Sequence, residues 1–274
     1  MNKIKITCIS ENTSLHHSLL AQHGQSLHIN YLGNQYLFDV GEIYEGFIYN
    51  FNQLGLNLNE IKSVIISHKD LDHCGTLPKL LSQLNQSLYL PPDMNLLKEN
   101  GYISTYRTVN SKSIPMEEII RMILEYKKAI VVNHEMEIEK GLFITGSLGE
   151  GMKEQSLVIK LPDKGIVVIV ACSHPTLPVI IEKAKQITGC DKVYGLIGGF
   201  HYKGLDMQKI NENLDFLSEV NPDFIVPSHC TGYRAIRMLQ DKLGEKVHVS
   251  GTGQFGTGND IEILPELVFH LPSK

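Results

Sequence analysis

The chain has 274 residues, of which 42% are hydrophobic and 20% are charged, and its formal net charge is −5. A chain of this size can bury a full core, so we expect one α/β domain over residues 1–274. The negative charge and the lack of a Lys/Arg-rich run argue against a nucleic-acid partner, and no apolar stretch of about 18 residues predicts a membrane span. We therefore expect a cytoplasmic protein that binds a small-molecule substrate.

The N-terminal region predicts three strands. Alternating apolar residues favour strands at residues 4–10, 26–32 and 35–40, and the last two are joined across Gly33 and Asn34 as in a hairpin. The chain's five cysteines include no CxxC pair, which argues against a disulfide framework.

Residues 68–75 hold a dense group of metal-competent side chains. They read His-Lys-Asp-Leu-Asp-His-Cys-Gly and follow an apolar, β-branched run at residues 61–67 that predicts a buried strand, with a helix predicted at residues 77–84. Four ligand-type residues therefore lie at a strand's C-terminal end: His68, Asp70, Asp72 and His73. We expect the first two to converge on one cation and the last two on a second. A polar surface turn is the alternative.

Residues 85–135 carry no catalytic spacing. Their clearest element is a helix-like stretch at residues 116–128. We interpret the whole segment as an insertion that partly covers the site, and a passive surface excursion is the alternative.

A second set of strands is predicted at residues 141–145, 155–161 and 165–171. The third of these strands runs into Ala-Cys-Ser-His-Pro. It therefore delivers Cys172 and His174 at its C-terminal end, in the same way that the earlier strand delivers its ligands.

Two further strands end in polar residues. The strand at residues 192–197 leads into Gly-Gly-Phe-His, and the two glycines would let the backbone approach a ligand closely. We predict that His201 contacts substrate or transfers a proton, and a structural hydrogen-bonding role is the alternative. The strand at residues 223–226 leads into Pro-Ser-His-Cys-Thr-Gly, which places His229 before a further helix.

That helix is predicted at residues 233–243. We expect Thr231 and Gly232 to open it, so that free backbone amides there hold an anionic group of the substrate. Arg234 lies close by in sequence and would add a positive charge.

The stretch SHKDLDHCG resembles the His-x-His-x-Asp-His signature of the metallo-β-lactamase superfamily, with Asp70 where most members carry His. Together with HGQSLHI, ACSHP, IGGFHYKG and PSHCTG, it is similar to the branch that includes the dihydropterin–ribofuranosylaminobenzene phosphate synthase of methanopterin biosynthesis. The resemblance implies an αββα sandwich, an α/β fold, with a dinuclear metal site along one edge.

The resemblance also assigns roles. It implies that Asp39 is a buried support under the metals, although a simple turn residue is an equal alternative. Cys172 stands where an Asp usually bridges the metals, and it is either a ligand or a buried inert thiol. His174 would supply the imidazole that an earlier motif normally provides, and His229 would bind the second metal. The implied ligand set is His68, Asp70, Asp72, His73, His174 and His229.

Two divalent ions, zinc, iron or manganese, would share a water and polarise a substrate oxygen. We therefore expect a metal-dependent hydrolase of an ester, lactone or phosphoester bond, with Asp72 and His201 as catalytic residues and an anionic substrate. The carboxylate at Asp70 favours iron or manganese over zinc. A pterin diphosphate transferase and a diiron oxygen-reactive or sensor protein are the alternatives.

Overall fold

The computed structural model describes residues 3–94, 106–109, 112–251, 254–257, 263–264 and 267–270. Its strands are β1 (Lys3–Ser10), β2 (Ser26–Tyr31), β3 (Asn34–Phe38), β4 (Ile61–Ile65), β5 (Ser87–Leu90), β6 (Tyr106–Val109), β7 (Lys112–Pro115), β8 (Ala129–Val131), β9 (Met136–Glu139), β10 (Leu142–Ile144), β11 (Leu157–Leu161), β12 (Gly165–Ile169), β13 (Val193–Gly199), β14 (Phe224–Ser228), β15 (His248–Gly251), β16 (Gln254–Thr257), β17 (Ile263–Leu264) and β18 (Leu267–His270).

The α-helices in this part of the chain are α1 (Tyr44–Gln53), α2 (Leu71–Cys74), α3 (Leu77–Leu80), α4 (Met116–Leu124), α5 (Leu177–Thr188), α6 (Met207–Val220) and α7 (Tyr233–Leu243). None of these helices is long and apolar enough to span a membrane.

Two large sheets form the centre of the molecule. The first has the strand order β18-β1-β2-β3-β4-β5-β8, and the second has the order β14-β13-β12-β11-β10-β9. Each sheet is antiparallel on one side and parallel on the other, since β3, β4, β5 and β8 run parallel, as do β12, β13 and β14. The carboxyl ends of parallel strands lie at one edge of a sheet, which is where α/β proteins usually bind ligands.

The predicted αββα sandwich is confirmed by how the side chains pack. Ile29 and Phe38 of the first sheet and Leu157 and Ile169 of the second belong to one buried cluster between the sheets. Burying each such side chain contributes about 1.5–3 kcal/mol. The residue before Ile169 in β12, Val168, points the other way and belongs to the cluster between the second sheet and its helices, as expected for a strand covered on both faces.

Helices cover the outer face of each sheet. On the first sheet, Val64 packs in one cluster with residues of α1, α3 and α4, including Phe47 and Ile123. On the second sheet, Leu196 shares a cluster with residues of α5, α6 and α7, including Ile181 and Leu239. The layers are therefore helix, sheet, sheet, helix.

Element positions agree with the sequence predictions more closely than element ends do. The nine strands predicted between residues 4 and 226 are all found, and α7 has its predicted bounds. The helices predicted at residues 77–84 and 116–128 are shorter, and the sequence does not predict α1, α2, α5 or α6. The first hairpin turns at Leu32 and Gly33, one residue earlier than predicted, because Tyr31 pairs with Asn34 and both turn residues have positive φ.

The interpretation of residues 85–135 as an insertion is wrong at both ends of the segment. β5 pairs in parallel with β4, and β8 pairs in parallel with β5, so both strands complete the first sheet. Within α4, Ile120 and Ile123 belong to the sheet's outer cluster. Residues 95–105 and 110–111, on which the covering role also depends, lie outside the described residues.

Candidate metal centre

The ligand-type residues meet at the edge where parallel strands of both sheets end. His68 follows β4, Cys172 and His174 follow β12, His201 follows β13 and His229 follows β14. Among the described residues, five groups of three ligand-type atoms have all members within 4.8 Å of one another, and all five lie at this edge.

The loop after β4 turns sharply because residues 71–74 form a single helical turn, with Asp70 at its N-cap. Residues 24 and 25, which precede β2, pack tightly against this turn. Gln25 N donates to the Asp72 carbonyl oxygen at 3.2 Å, and a Cβ at Gly24, whose φ is +116°, would clash with that same oxygen. Gly24 is therefore needed for the loop to hold its shape.

The first group of ligands comprises His68, Asp70 and His174. Asp70 Oδ2 lies 3.6 Å from His68 Nε2 and 3.8 Å from His174 Nε2. Both distances exceed a hydrogen bond, and both buried Nε2 atoms lack a hydrogen-bond partner among the described residues. Two atoms that bind one tetrahedral ion at 2.1 Å lie about 3.4 Å apart, so a single cation would satisfy all three side chains.

The second group of ligands comprises Asp72, His73 and His229. Asp72 Oδ2 lies 3.1 Å from His229 Nε2 and 3.7 Å from His73 Nε2, and the two Nε2 atoms are 3.3 Å apart. The structure therefore brings the six predicted ligands together as two triads, and their binding of one ion each stays a prediction.

The imidazoles of both groups are held in the form that binds a metal. His73 Nδ1 donates to the Asp39 carboxylate at 2.7 Å. Ser67 Oγ donates to Asp39 and so accepts from His68 Nδ1, at 2.8 Å for each bond. His229 Nδ1 donates to Asn12 Oδ1 at 2.9 Å. In each neutral ring Nε2 consequently carries the lone pair.

These tautomers supply a test of whether metal ions fit. In these neutral tautomers the Nε2 lone pairs of His73 and His229 face each other at 3.3 Å. Such a contact is repulsive unless a proton or a metal ion lies between the nitrogen atoms. The residues of the second group therefore fit a divalent ion. The residues of the first group also fit one, because the Nε2 atoms of His68 and His174 lack a hydrogen-bond partner among the described residues.

Negative potential at the site favours a cation. Burial lowers the pKa of His68, but the carboxylate of Asp70 and the charges of Glu154 and Asp39 outweigh it and raise that pKa to about 9. Burial likewise opposes ionisation of Asp72, yet the neighbouring His229 and His73 hold its pKa well below the usual range. Groups that stabilise a proton on His68 also stabilise a metal ion in its place.

Asp39 lies under both groups, as the resemblance implies, and it is more than a turn residue. It is fully buried, and its carboxylate accepts from Ser67 N, Ser67 Oγ and His73 Nδ1. One side chain thus orients an imidazole in each group, directly in one case and through Ser67 in the other.

Cys172 lies between the two groups. Its Sγ is 3.3 Å from His73 Nε2 and within 4.8 Å of ligand atoms of His68, His174 and His229. Cys230 Sγ, next to it, donates to the Cys172 carbonyl oxygen at 3.6 Å. The Cys172 and His201 side chains lower the pKa of the Cys230 thiol despite its burial. The site therefore offers soft sulfur atoms beside its hard carboxylates.

His201 is exposed, and its ring centroid lies 4.6 Å from that of His174. The glycines before it have a different role from the predicted one. A Cβ at Gly198 or Gly199 would clash with carbonyl oxygens at the end of β12, so these glycines admit the neighbouring strand end and not a ligand.

The predicted anion site at residues 231–234 needs one correction. α7 begins at Tyr233 with Gly232 as its N-cap, and Thr231 belongs to the preceding 3-10 turn. The buried Thr231 hydroxyl accepts from Phe200 N at 3.0 Å, which engages it in the fold. Gly232 and Arg234 remain at the helix N-terminus as predicted.

Two acidic residues hold the backbone of the site in place, and the sequence alone identifies neither of them. Glu154 is buried, and its carboxylate accepts from the backbone amides of Cys172, Ser173 and His174 at 2.9–3.2 Å. Glu11 accepts from His229 N at 2.7 Å. All four bonds join residues that are distant in sequence. The only local sign of Glu154 is its place just before a predicted strand.

Comparisons with known proteins agree with this geometry. Residues 39–182 match the family model of the metallo-beta-lactamase superfamily. The chain is 24% identical to the 7,8-dihydropterin-6-methyl-4-(beta-D-ribofuranosyl)-aminobenzene-5'-phosphate synthase of Methanocaldococcus jannaschii, over 89% of this chain and 93% of the relative.

Solved structures share the fold. A metal-dependent hydrolase of the beta-lactamase superfamily, Tm1679, matches with a TM-score of 0.70 and 22% identity over 94% of this chain and all of the other. The metallo-beta-lactamase fold protein YhfI from Bacillus subtilis matches with a TM-score of 0.62 and 12% identity, again over 94% of this chain and all of the other.

Proposed function

Because the chain belongs to the metallo-beta-lactamase superfamily, whose family model matches more than half of its length, we propose that it is a hydrolase dependent on two divalent metal ions. Its substrate is a small anionic molecule with an ester, lactone or phosphoester bond. The observation that carries this proposal is the pair of adjacent triads, His68–Asp70–His174 and Asp72–His73–His229, each with the spacing of ligands on one ion.

The six predicted residues would hold the two ions, and Cys172 would add a sulfur donor between them. Two bound divalent ions would lower the pKa of a shared water and polarise a substrate oxygen. Iron accepts both the carboxylate at Asp70 and a thiolate, whereas manganese suits the carboxylate and zinc suits the thiolate. We therefore place iron first among the three.

The chain's own residues would position the reactants. The carboxylate of Asp72 would accept a hydrogen bond from the attacking water and so orient it toward the substrate. His201 is exposed at the rim and would give a proton to the leaving oxygen. Replacing His201 with Ala should therefore lower kcat with little change in metal content, and loss of an ion in that variant would make His201 a ligand instead.

Group transfer is the second candidate function. The relative that covers 89% of this chain is named a synthase, which favours transfer to an acceptor other than water. The sequence resemblance implies a pterin diphosphate as the donor. The same metal groups would serve either reaction, because both need a polarised oxygen and an oriented nucleophile.

The proposed function is tested with Asp72→Ala and His229→Ala, using His134→Ala as a control because His134 is an exposed residue outside the five ligand groups. Metal content is measured by mass spectrometry, and activity is measured on chromogenic esters, lactones and phosphoesters. Both site variants should lose metal-dependent hydrolysis and keep the fold, since Asp72 and His229 lie in single helical turns at strand ends and outside the apolar clusters. Full activity with one metal lost would contradict the dinuclear proposal.

A further inference from the structure

A cavity of about 640 Å³ adjoins the second ligand group. His229 forms part of its wall, together with residues from three segments that follow β1, β13 and β14. Small-molecule sites usually have volumes of about 300–1,000 Å³, so this cavity is large enough for a substrate body whose reacting bond lies at the metals.

Positive charge dominates the polar part of the cavity wall. Lys203 and Arg234 both line it, both are exposed, and neither makes an ion pair among the residues that the structure describes. Glu11 also lines it, but its carboxylate already accepts from His229 N, Thr13 N and Thr13 Oγ1. Two cationic side chains therefore face one carboxylate whose oxygens are already hydrogen-bonded, and the net charge of the cavity wall is positive.

The start of α7 adds to this positive potential. α7 has 11 residues, and no side chain caps its N-terminal amides. Gly232 brings the helix start against residue 203, since a Cβ there would lie 3.2 Å from the Cβ of Lys203. Lys203 and the helix amides consequently flank the same space, where an anion is favoured.

Tyr202 gives an independent indication of a ligand. It lines the same cavity and is 4% exposed, yet its hydroxyl has no hydrogen-bond partner among the described residues. Burial raises its pKa, so the hydroxyl remains a neutral donor at working pH. A buried hydroxyl without a partner costs stability, and an acceptor atom of a bound ligand would supply the missing partner.

The remainder of the wall is largely apolar. Leu15, Leu205, Ile210 and Ile236 contribute side chains, and Tyr233 adds an exposed aromatic ring at the helix start. An apolar or aromatic group would therefore be buried beside the cationic residues.

We propose that this cavity binds the non-reacting part of the substrate, and that it recognises a phosphate-like dianion attached to an apolar body. Arg234 and Lys203 hold the anion, and the Tyr202 hydroxyl donates to it. The proposal rests on the function proposed above, because it assigns the reacting bond to the adjacent metal groups.

The test measures binding of phenylphosphonate to the metal-loaded protein by isothermal titration calorimetry, because its carbon–phosphorus bond resists hydrolysis. Phenol and inorganic phosphate serve as probes of the apolar and anionic halves. The variants are Arg234→Ala, Lys203→Ala and Tyr202→Phe. Arg237→Ala is the matched control, since Arg237 lies on the same helix, is paired with Asp241 at 3.1 Å and does not line the cavity.

Phenylphosphonate should bind more tightly than either half alone. Arg234→Ala and Lys203→Ala should each weaken it about ten-fold, while Arg237→Ala leaves it unchanged. Tyr202→Phe should weaken binding and raise the Tm of the unliganded protein, a combination that a purely structural hydroxyl would not give. On a verified substrate, Arg234→Ala should mainly raise KM.

Equal affinity in the wild type and in the three cavity variants would overturn the proposal, because it would mean that the phosphonate binds only to the metals. The proposed function fails separately. If no ester, lactone or phosphoester is hydrolysed while phenylphosphonate affinity still depends on Arg234 and Lys203, the cavity assignment stands and the hydrolase assignment falls.

Discussion

The two ligand groups differ in how firmly the protein holds them. In the second group, His73 and His229 each donate through Nδ1 to a side chain, and the Asp72 side chain is only 17% exposed. In the first group, the Asp70 side chain is 40% exposed, and the His174 side chain is fixed by no hydrogen bond from its Nε2. The second group is preorganised by side chains, whereas the first is preorganised only in part, through the hydrogen bond of His68 Nδ1 to Ser67 Oγ.

This difference indicates which of the two ligand groups determines the identity of the bound metal. A preorganised group loses little conformational entropy when an ion binds, so the second group should hold its ion more tightly. The first group contains the unusual Asp70 ligand and should exchange its ion more readily. Changes at the first group should therefore alter which metal is bound, and changes under the second group should alter whether metal is bound at all.

The largest effect is expected for Asp39→Ala. Asp39 is fully buried and accepts three hydrogen bonds, so its loss leaves Ser67 N and His73 Nδ1 without an acceptor. We expect the free energy of unfolding to fall by roughly 3–5 kcal/mol and the second ion to be lost. Urea denaturation and metal analysis measure both, with the exposed Asp163→Ala as a control. An unchanged metal content would show that the second group does not depend on this support.

Glu154→Gln should have a smaller effect that is confined to the first group. The carbonyl oxygen of Gln can still accept from Cys172 N and Ser173 N, but its amide nitrogen cannot accept from His174 N, so the loop that carries His174 should loosen. We expect roughly ten- to hundred-fold weaker binding of one ion and little change in the other. Competition with a chelator resolves the two affinities. Equal weakening of both ions would erase the proposed difference between the groups.

The candidate ligands could be picked out from the sequence because a local pattern contains them, and their binding of metal stays a prediction. Strand-end residues such as His68 and His229 follow apolar runs, and the fold then brings these strand ends to one edge. The supports of the ligands are harder to predict. Glu154 accepts from amides 18–20 residues away, and Asn12 bonds a residue 217 positions away, so neither contact leaves a local pattern.

The fold itself was predicted for a similar reason and with similar gaps. Alternating or continuous apolar runs identified the strands that flank the core, whereas the short strand β8 has two exposed residues and no such pattern. Its place in the sheet depends on pairing with β5, which is a tertiary interaction. That is why residues 85–135 were interpreted as an insertion.

The smallest effect is expected for Asp70→His, which should change metal preference without changing stability. The half-exposed Asp70 supplies the hard oxygen donor of the first group, and an imidazole there suits zinc better. Wild-type protein purified without added zinc should contain more iron or manganese than zinc, and the variant should shift toward zinc. A wild type with stoichiometric zinc and no iron or manganese would contradict this preference.

The most direct test of two adjacent metal sites is anomalous X-ray scattering from crystals of the metal-loaded protein, with data collected at the iron, manganese and zinc absorption edges. We expect two anomalous peaks, one bound by His68, Asp70 and His174 and the other by Asp72, His73 and His229. A single peak, or two peaks of which one lacks its triad as ligands, would contradict it.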